Sequence, residues 1–321
     1  MASAAHRRSW AWAAVLIAAG FTLSPWGGAA WGLVLGIVIA LTLGNPLAPH
    51  SGPAAKHLLA IAIVCLGAGM DLKLALEIGV QGIGYTAIGL LLAFALGLGL
   101  AHLLKVPQTP ALLVISGTAI CGGSAIAAVA PVLKAADHEI ALAIACVFLL
   151  NAVALLAFPW VGHLLGMEPR AFGLWAALAI HDTSSVVGAA AQFPPPALQV
   201  ATAAKLARAL WIAPLALVLA RAVAISGARD TETPKVGIPW FIPGFVAAAA
   251  LVWAWPDLQP VGLKIAALGK HGLALALLLV GLNLKASSLR TLGAGPLKLA
   301  IGLWLLLAGG TLGAIQLGWI R

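Results

Sequence analysis

The sequence predicts an all-α, polytopic membrane protein of about 10–11 transmembrane helices, two of them broken in mid-span, with internal inverted repeats. Three observations predict it. Hydrophobic types make up 62% of the 321 residues and charged types 8%, whereas a soluble domain carries about 45–50% and about 25%. The apolar residues form eleven runs, and about 20 such residues cross a bilayer as a helix. Two runs are interrupted in their middle by glycines, hydroxyls and ionisable groups, at a depth where lipid offers no hydrogen bonds. This composition excludes a soluble enzyme, a disordered tail and a nucleic-acid module. The expected surroundings are a lipid bilayer.

The spans read 10–24, 28–43, 57–70, 80–104, 111–133, 140–165, 171–192, 198–225, 238–255, 265–284 and 299–319, a single transporter domain over 1–321. Residues 1–9 form a cytoplasmic tail and 226–236 a cytoplasmic linker. His6, Arg7 and Arg8 before a short apolar core resemble a signal peptide. The minimal Ser24-Pro25-Trp26-Gly27 turn and the spans that follow favour an uncleaved first helix. The net charge of +9 reflects cations at the ends of apolar runs. An N-terminus inside the cell places eleven loop cations on the cytoplasmic side and five outside, the bias that sets orientation. A bacterial inner membrane is the expected location. Trp10, Trp12, Trp26, Trp31, Trp240, Trp253, Trp255 and Trp319 stand near span ends, as interfacial anchors do.

Two internal echoes suggest repeats. GAGMDLKLAL (67–76) aligns with LVGLNLKASS (279–288), pairing Asp71 with Asn283 and Lys73 with Lys285. ICGGSAI (120–126) aligns with IHDTSSV (180–186), pairing Ile120 with Ile180 and Ser124 with Ser184. The second pair lies two spans apart, in the fifth and seventh, so inversion holds there only if an element is re-entrant.

The first polar island holds Ser116, Thr118, Cys121, Gly122, Gly123 and Ser124. Each glycine weakens a helix by about 1 kcal/mol relative to alanine. A break here exposes the N–H groups of a new half-helix, whose partial positive charge attracts anions. Close helix packing through small residues is the competing reading. The second island is His181, Asp182, Thr183, Ser184 and Ser185. An Asp at mid-helix costs about 2.5–3.5 kcal/mol on insertion scales. Asp182 also reads as the N-cap of a new half-helix, and His181 as a group that changes charge near neutral pH. The competing reading is a polar cluster that holds helices together.

Lys205 and Arg208 lie three apart, on one helical face. Buried there, they need an anion, either Asp182 or a substrate; nearer the interface they snorkel. Asn151 and Asn283 are weaker cavity-lining candidates. Cys121, His181 and Asp182 lack the geometry of a nucleophile, base and orienter, so no catalytic residue is expected. The histidines and Cys65, Cys121 and Cys146 show no metal-ligand spacing, and no phosphate loop is present. No cofactor is expected beyond a coupling ion, H+ or Na+.

SGTAICGGSAIAAVAPVLKA (116–135), LWAALAIHDTSSVVGAAAQF (174–193) and KLARALWIAPLALVL (205–219) resemble the YeiH-like family of bacterial membrane proteins, labelled sulfate exporters. LTLGN (41–45) and GLNLK (281–285) fit less specifically. The family is grouped with bile-acid, arsenite and riboflavin transporter-like folds. That grouping implies two broken helices crossing at the substrate site, and homodimers. The combined expectation is secondary-active transport of a small anion, such as sulfate or an organic sulfonate or carboxylate. Thr118, Cys121, Gly122, Gly123, Ser124, Thr183, Ser184, Ser185, Lys205 and Arg208 would bind it, and His181 and Asp182 would couple its movement to an ion. A sodium- or proton-coupled cation antiporter using Asp182 is the alternative, and a membrane protein without flux is a third.

Overall fold

The computed structural model describes residues 2–225, 239–284 and 293–320. Every regular element among them is helical: α1 (Ala2–Leu23), α2 (Ala29–Thr42), α3 (Ser51–Gly67), α4 (Leu72–Leu103), α5 (Gln108–Ala119), α6 (Gly123–Val129) and α7 (Asp137–Leu164). There follow α8 (Pro169–Ala179), α9 (Thr183–Ala190), α10 (Ala197–Ala209), α11 (Ile212–Ile225), α12 (Phe241–Ala254), α13 (Gln259–Leu282) and α14 (Ala294–Gln316). Five stretches are long and apolar enough to cross a membrane: Leu72–Leu103, Asp137–Leu164, Ala197–Val223, Pro256–Leu282 and Ala294–Gln316. Four shorter apolar helices lie at Ser9–Leu23, Ala29–Thr42, Ser51–Gly67 and Phe241–Ala254. The stretch read as a tail is already helical from Ala2. The linker 226–236 and Lys285 lie outside the described residues.

The chain divides into two compact units. The first comprises Met1–Ala75 and Pro239–Ser287. Within it α13 lies against α2 and α3 at close range because small residues face each other. A Cβ on Gly269 would come within 2.9 Å of the Ala62 carbonyl. Without a hydrophobic driving force in lipid, such close backbone approach is what holds helices together. Asn283, the C-cap of α13, donates to the Leu279 carbonyl (2.8 Å), and its Oδ1 accepts from Ser51 Oγ (2.7 Å). Its polar atoms are engaged in this unit. Asp71 caps α4 by accepting from the Lys73 amide at 2.8 Å.

The second unit comprises Leu76–Ile238 and Ser288–Arg321 and holds both polar islands. Each island breaks its helix, as the sequence predicts. The two segments do not traverse the unit, however; each turns back on itself. Phe172, near the start of α8, stacks on Phe193, just beyond α9, with ring centroids 3.9 Å apart. An uninterrupted helix would separate them by about 30 Å. His163, at the end of α7, stacks on the same Phe193 at 4.3 Å. In the first island a Cβ on Gly117 would come within 3.0 Å of Ile126 Cδ1, which only a fold-back permits. Cβ atoms on Gly295 and Gly293 would meet Val106, just before α5, and Leu142, early in α7, each at 3.5 Å. The base of the first hairpin therefore lies at the start of α7, and that of the second at its end. The hairpins enter from opposite ends of one 28-residue helix, about 42 Å long.

The spans 111–133 and 171–192 are thus re-entrant hairpins, which corrects the topology of those two segments and supplies the inversion that the second echo requires. Fold-back exchanges the expected sides of Lys134 and Arg170. One further interruption, at Leu210–Trp211, divides the eighth span into α10 and α11. Pro214 has no N–H for the Leu210 carbonyl, so the ladder cannot run through.

Two details fix the second hairpin to α7. Pro159, inside α7, leaves the Leu155 carbonyl without its helical donor. Gln192 Nε2 donates to that carbonyl at 3.1 Å and to the Gly188 carbonyl at 3.1 Å. At the middle of α7, Asn151 Oδ1 accepts from the amides of His181 (3.2 Å) and Asp182 (3.4 Å) at the hairpin tip.

Candidate functional site at the hairpin tips

The tips meet. Gly122, with φ +62° and ψ −126°, turns the first hairpin. A Cβ there would lie 3.2 Å from Asp182 Cβ and 3.2 Å from Val147 Cγ1 of α7. That conformation and that proximity explain why glycine stands at 122. The 60-residue echo is structural: Ile120 and Ile180 are the C-caps of α5 and α8, and Ser124 and Ser184 are the second residues of α6 and α9.

A broken helix leaves its last four carbonyls without partners, and buried carbonyls must be satisfied. In α5 the Ser116 carbonyl accepts from the Ile120 amide (3.2 Å) and Gly117 from the Gly122 amide (2.8 Å). The Thr118 carbonyl accepts from Arg208 Nη2 (2.9 Å) and Ala119 from Arg208 Nε (2.7 Å). In α8 the Ala176 carbonyl accepts from the Ile180 amide (3.0 Å). Arg208 Nη1 donates to Ala177 (3.2 Å) and Leu178 (2.5 Å). Lys205 Nζ donates to Ile180 (2.7 Å) and Ala177 (3.5 Å). One guanidinium therefore joins the C-terminal ends of both half-helices, and its charge complements both negative dipole ends. Asp182 forms no ion pair with Lys205 or Arg208; among the described residues the ion pair is Arg170–Glu77, at 2.7 Å on the surface. The anion that the buried cations require is the backbone itself.

The N-terminal ends are built differently. Asp182 caps α9: its Oδ1 accepts from the Ser185 amide (2.8 Å) and its Oδ2 from Ser184 Oγ (2.6 Å). At α6 the N-cap is Gly122, which offers no side-chain cap, and the Cys121 thiol before it is buried. Ser124 is exposed, Gly123, Asp182 and Thr183 are partly so, and Ser184 and Ser185 are buried. Behind the tips stand buried polar atoms with no hydrogen-bond partner: both ring nitrogens of His181, Ser116 Oγ, Thr118 Oγ1 and Asn151 Nδ2. Each such atom costs about 1–3 kcal/mol. Nothing among the described residues groups three or more His, Cys, Asp or Glu side chains for a metal ion.

Thr118, Cys121, Gly122, Gly123, Ser124, Asn151, His181, Asp182, Thr183, Ser184, Ser185, Lys205 and Arg208 all belong to this one unit, while Asn283 belongs to the other. The sequence reading omitted Val147 and Phe148 of α7, which face Gly122 and Gly123. No local signal marks them; they are ordinary apolar residues of a helix. It also omitted the bond from Trp211 Nε1 to Thr86 Oγ1 (3.0 Å) beside the α10–α11 break, which Pro214 signals.

Comparison with known proteins places the chain among membrane proteins. The model of a family described as "Conserved hypothetical protein 698" matches residues 10–300. The UPF0324 membrane protein Bd1437 of Bdellovibrio bacteriovorus is 47% identical over 305 residues, covering 95% of this chain and 94% of its own. The UPF0324 membrane protein GSU2818 of Geobacter sulfurreducens is 42% identical over 296 residues, covering 92% of this chain and 93% of its own. The relative VV1_3166 of Vibrio vulnificus is 42% identical over 286 residues, covering 89% and 92%. No solved structure matches. With the family model spanning most of its length and these relatives matching nearly end to end, the chain belongs to the UPF0324 membrane-protein family, the YeiH-like group that its two island sequences resemble.

Proposed function

We propose that the chain is a secondary-active transporter that carries a small anion through the junction of the two hairpin tips. The observation that carries this reading is the division of labour at the breaks. Lys205 and Arg208 neutralise the two negative half-helix ends inside the protein, and the two N-terminal ends face the accessible junction at Ser124 and Thr183. With Lys205 and Arg208 engaged by the C-terminal ends and Asp182 capping α9, the N-terminal end of α6, which no side chain caps, is what favours an anion there. Hairpins from opposite sides give that junction a route to each face. In this reading Ser124, Thr183 and the amides of Gly123 and Ser124 contact the substrate. Thr118, Cys121, Gly122, Ser184 and Ser185 shape the tips, and Lys205 and Arg208 set the field. The unit that holds the hairpins moves during alternating access in a bacterial inner membrane.

Asp182, partly exposed at the junction, supports a coupled ion, H+ or Na+, with the buried His181 beside it. The same carboxylate is the observation that favours the second reading, a cation antiporter. Flux into proteoliposomes tests both. Uptake of sulfate, an organic sulfonate or a carboxylate that saturates and falls at least tenfold in Ser124→Ala supports the anion reading. Proton- or sodium-driven cation exchange that ignores every anion would overturn it.

A further inference from the structure

The second unit contains a cavity of about 430 Å3 between α4 and α14, reaching inward to Leu178 and Arg208 behind the hairpin breaks. That volume lies within the range of small-molecule sites. Its walls are mostly aliphatic, with Ile88 and Leu92 from α4 and Leu306 and Leu307 from α14; Thr86 and Thr311 also line it, but their hydroxyls donate to carbonyls of their own helices. Arg208, almost fully buried, closes its inner end, and Trp319, strongly exposed, stands at its rim.

Glycines widen the gap. Gly89 on α4 and Gly310 on α14 both line it, and a Cβ on either would meet nothing within 4 Å. The flanks of the mouth are the outward-facing sides of Ile88 and Leu92, 60% and 50% exposed. In a membrane protein an exposed aliphatic helix face meets lipid, so the cavity is continuous with the bilayer's own contact surface. A rim tryptophan suits the level of the headgroups. An aqueous solute would find few polar partners along these walls.

We propose that this cavity is a lipid site, in which one acyl chain of a bilayer phospholipid lies between α4 and α14 with its headgroup near Trp319. The inner end of the chain then rests against the residue that joins both hairpins, so occupancy supports the packing around Arg208.

The test uses the full chain reconstituted in nanodiscs of phosphatidylethanolamine and phosphatidylglycerol, released into mild detergent and weighed by native mass spectrometry. The wild type is expected to retain a phospholipid adduct. Gly89→Leu/Gly310→Leu, which fills the gap, should lose it several-fold and melt no lower than wild type. Gly99→Leu, on α4 but outside the cavity lining, should retain it. A wild type without bound phospholipid overturns the proposal whatever the variants do. So does equal retention by the filled variant, an adduct of non-lipid mass, or a dimer that the filled variant dissociates without losing lipid.

Discussion

Gly122 and Asp182 stand 60 positions apart in the chain and tip to tip in space, with a Cβ on Gly122 falling 3.2 Å from that of Asp182. Everything about this juncture depends on room and on backbone conformation. Gly122→Ala forces a side chain into the φ +62° conformation and against both Asp182 and Val147, at a cost of about 1–3 kcal/mol for the backbone alone. Gly123→Ala meets only Phe148, at 3.6 Å, and should be mild. Thermal unfolding of the two purified variants should separate them clearly, with Gly122→Ala the lower; equal midpoints would contradict the tip geometry.

Arg208 serves four carbonyls, those of Thr118, Ala119, Ala177 and Leu178. Arg208→Met leaves them without it, at about 1–3 kcal/mol for each buried group left unsatisfied. Lys205→Met costs less, because Ala177 keeps Arg208 and only Ile180 loses its short bond. Arg170→Met removes a surface ion pair worth about 0–1 kcal/mol. Unfolding midpoints should therefore fall in the order Arg170→Met, Lys205→Met, Arg208→Met, the last being lowest. Arg208→Lys, which cannot span both half-helices with a fork, should not restore the wild-type value.

Asp182 has two separable tasks. As an N-cap it accepts from the Ser185 amide, and Asp182→Ala should lose about 0.5–2 kcal/mol. Asn can cap equally well, so Asp182→Asn should restore stability. If the carboxylate also couples transport, Asp182→Asn should fold normally and lose the dependence of flux on its driving ion. Recovery of both stability and coupled flux would reduce Asp182 to a cap.

Gln192 compensates for Pro159. Gln192→Leu removes the donor to the Leu155 carbonyl and should destabilise by about 1–3 kcal/mol. In a Pro159→Ala background the helix supplies that N–H itself, so the same substitution should cost less. A double-mutant cycle should give coupling of about 0.5 kcal/mol or more; zero coupling would show that the contact does not contribute.

The breaks and the cap were legible because their causes are local: Gly122-Gly123 weakens a helix, and Asp182 followed by three hydroxyls starts one. The register of the echo was legible too, since Ile120 and Ile180 fall at equivalent C-caps. Fold-back was not, because it depends on Phe172 finding Phe193, and a straight broken helix has the same local signals. The sequence also suggested that Lys205 and Arg208 pair with Asp182 or a substrate. A backbone carbonyl leaves no mark in a sequence, so their partners at Thr118, Ala119, Leu178 and Ile180 were hidden. The break after α10 was missed, because the sequence reading ran one span over 198–225 although Pro214 is a local signal for it.

Side-specific labelling of single cysteines, in a chain with Cys65, Cys121 and Cys146 replaced by alanine, measures the opposed re-entrant hairpins most directly. Gln108→Cys and Ala136→Cys flank the first hairpin, and Glu168→Cys and Ala191→Cys the second; all four positions are exposed. A membrane-impermeant maleimide applied to oriented vesicles should label the first pair from one face and the second pair from the other. Labelling of the two members of either pair from opposite faces would mean that the segment crosses the membrane, and would contradict the account.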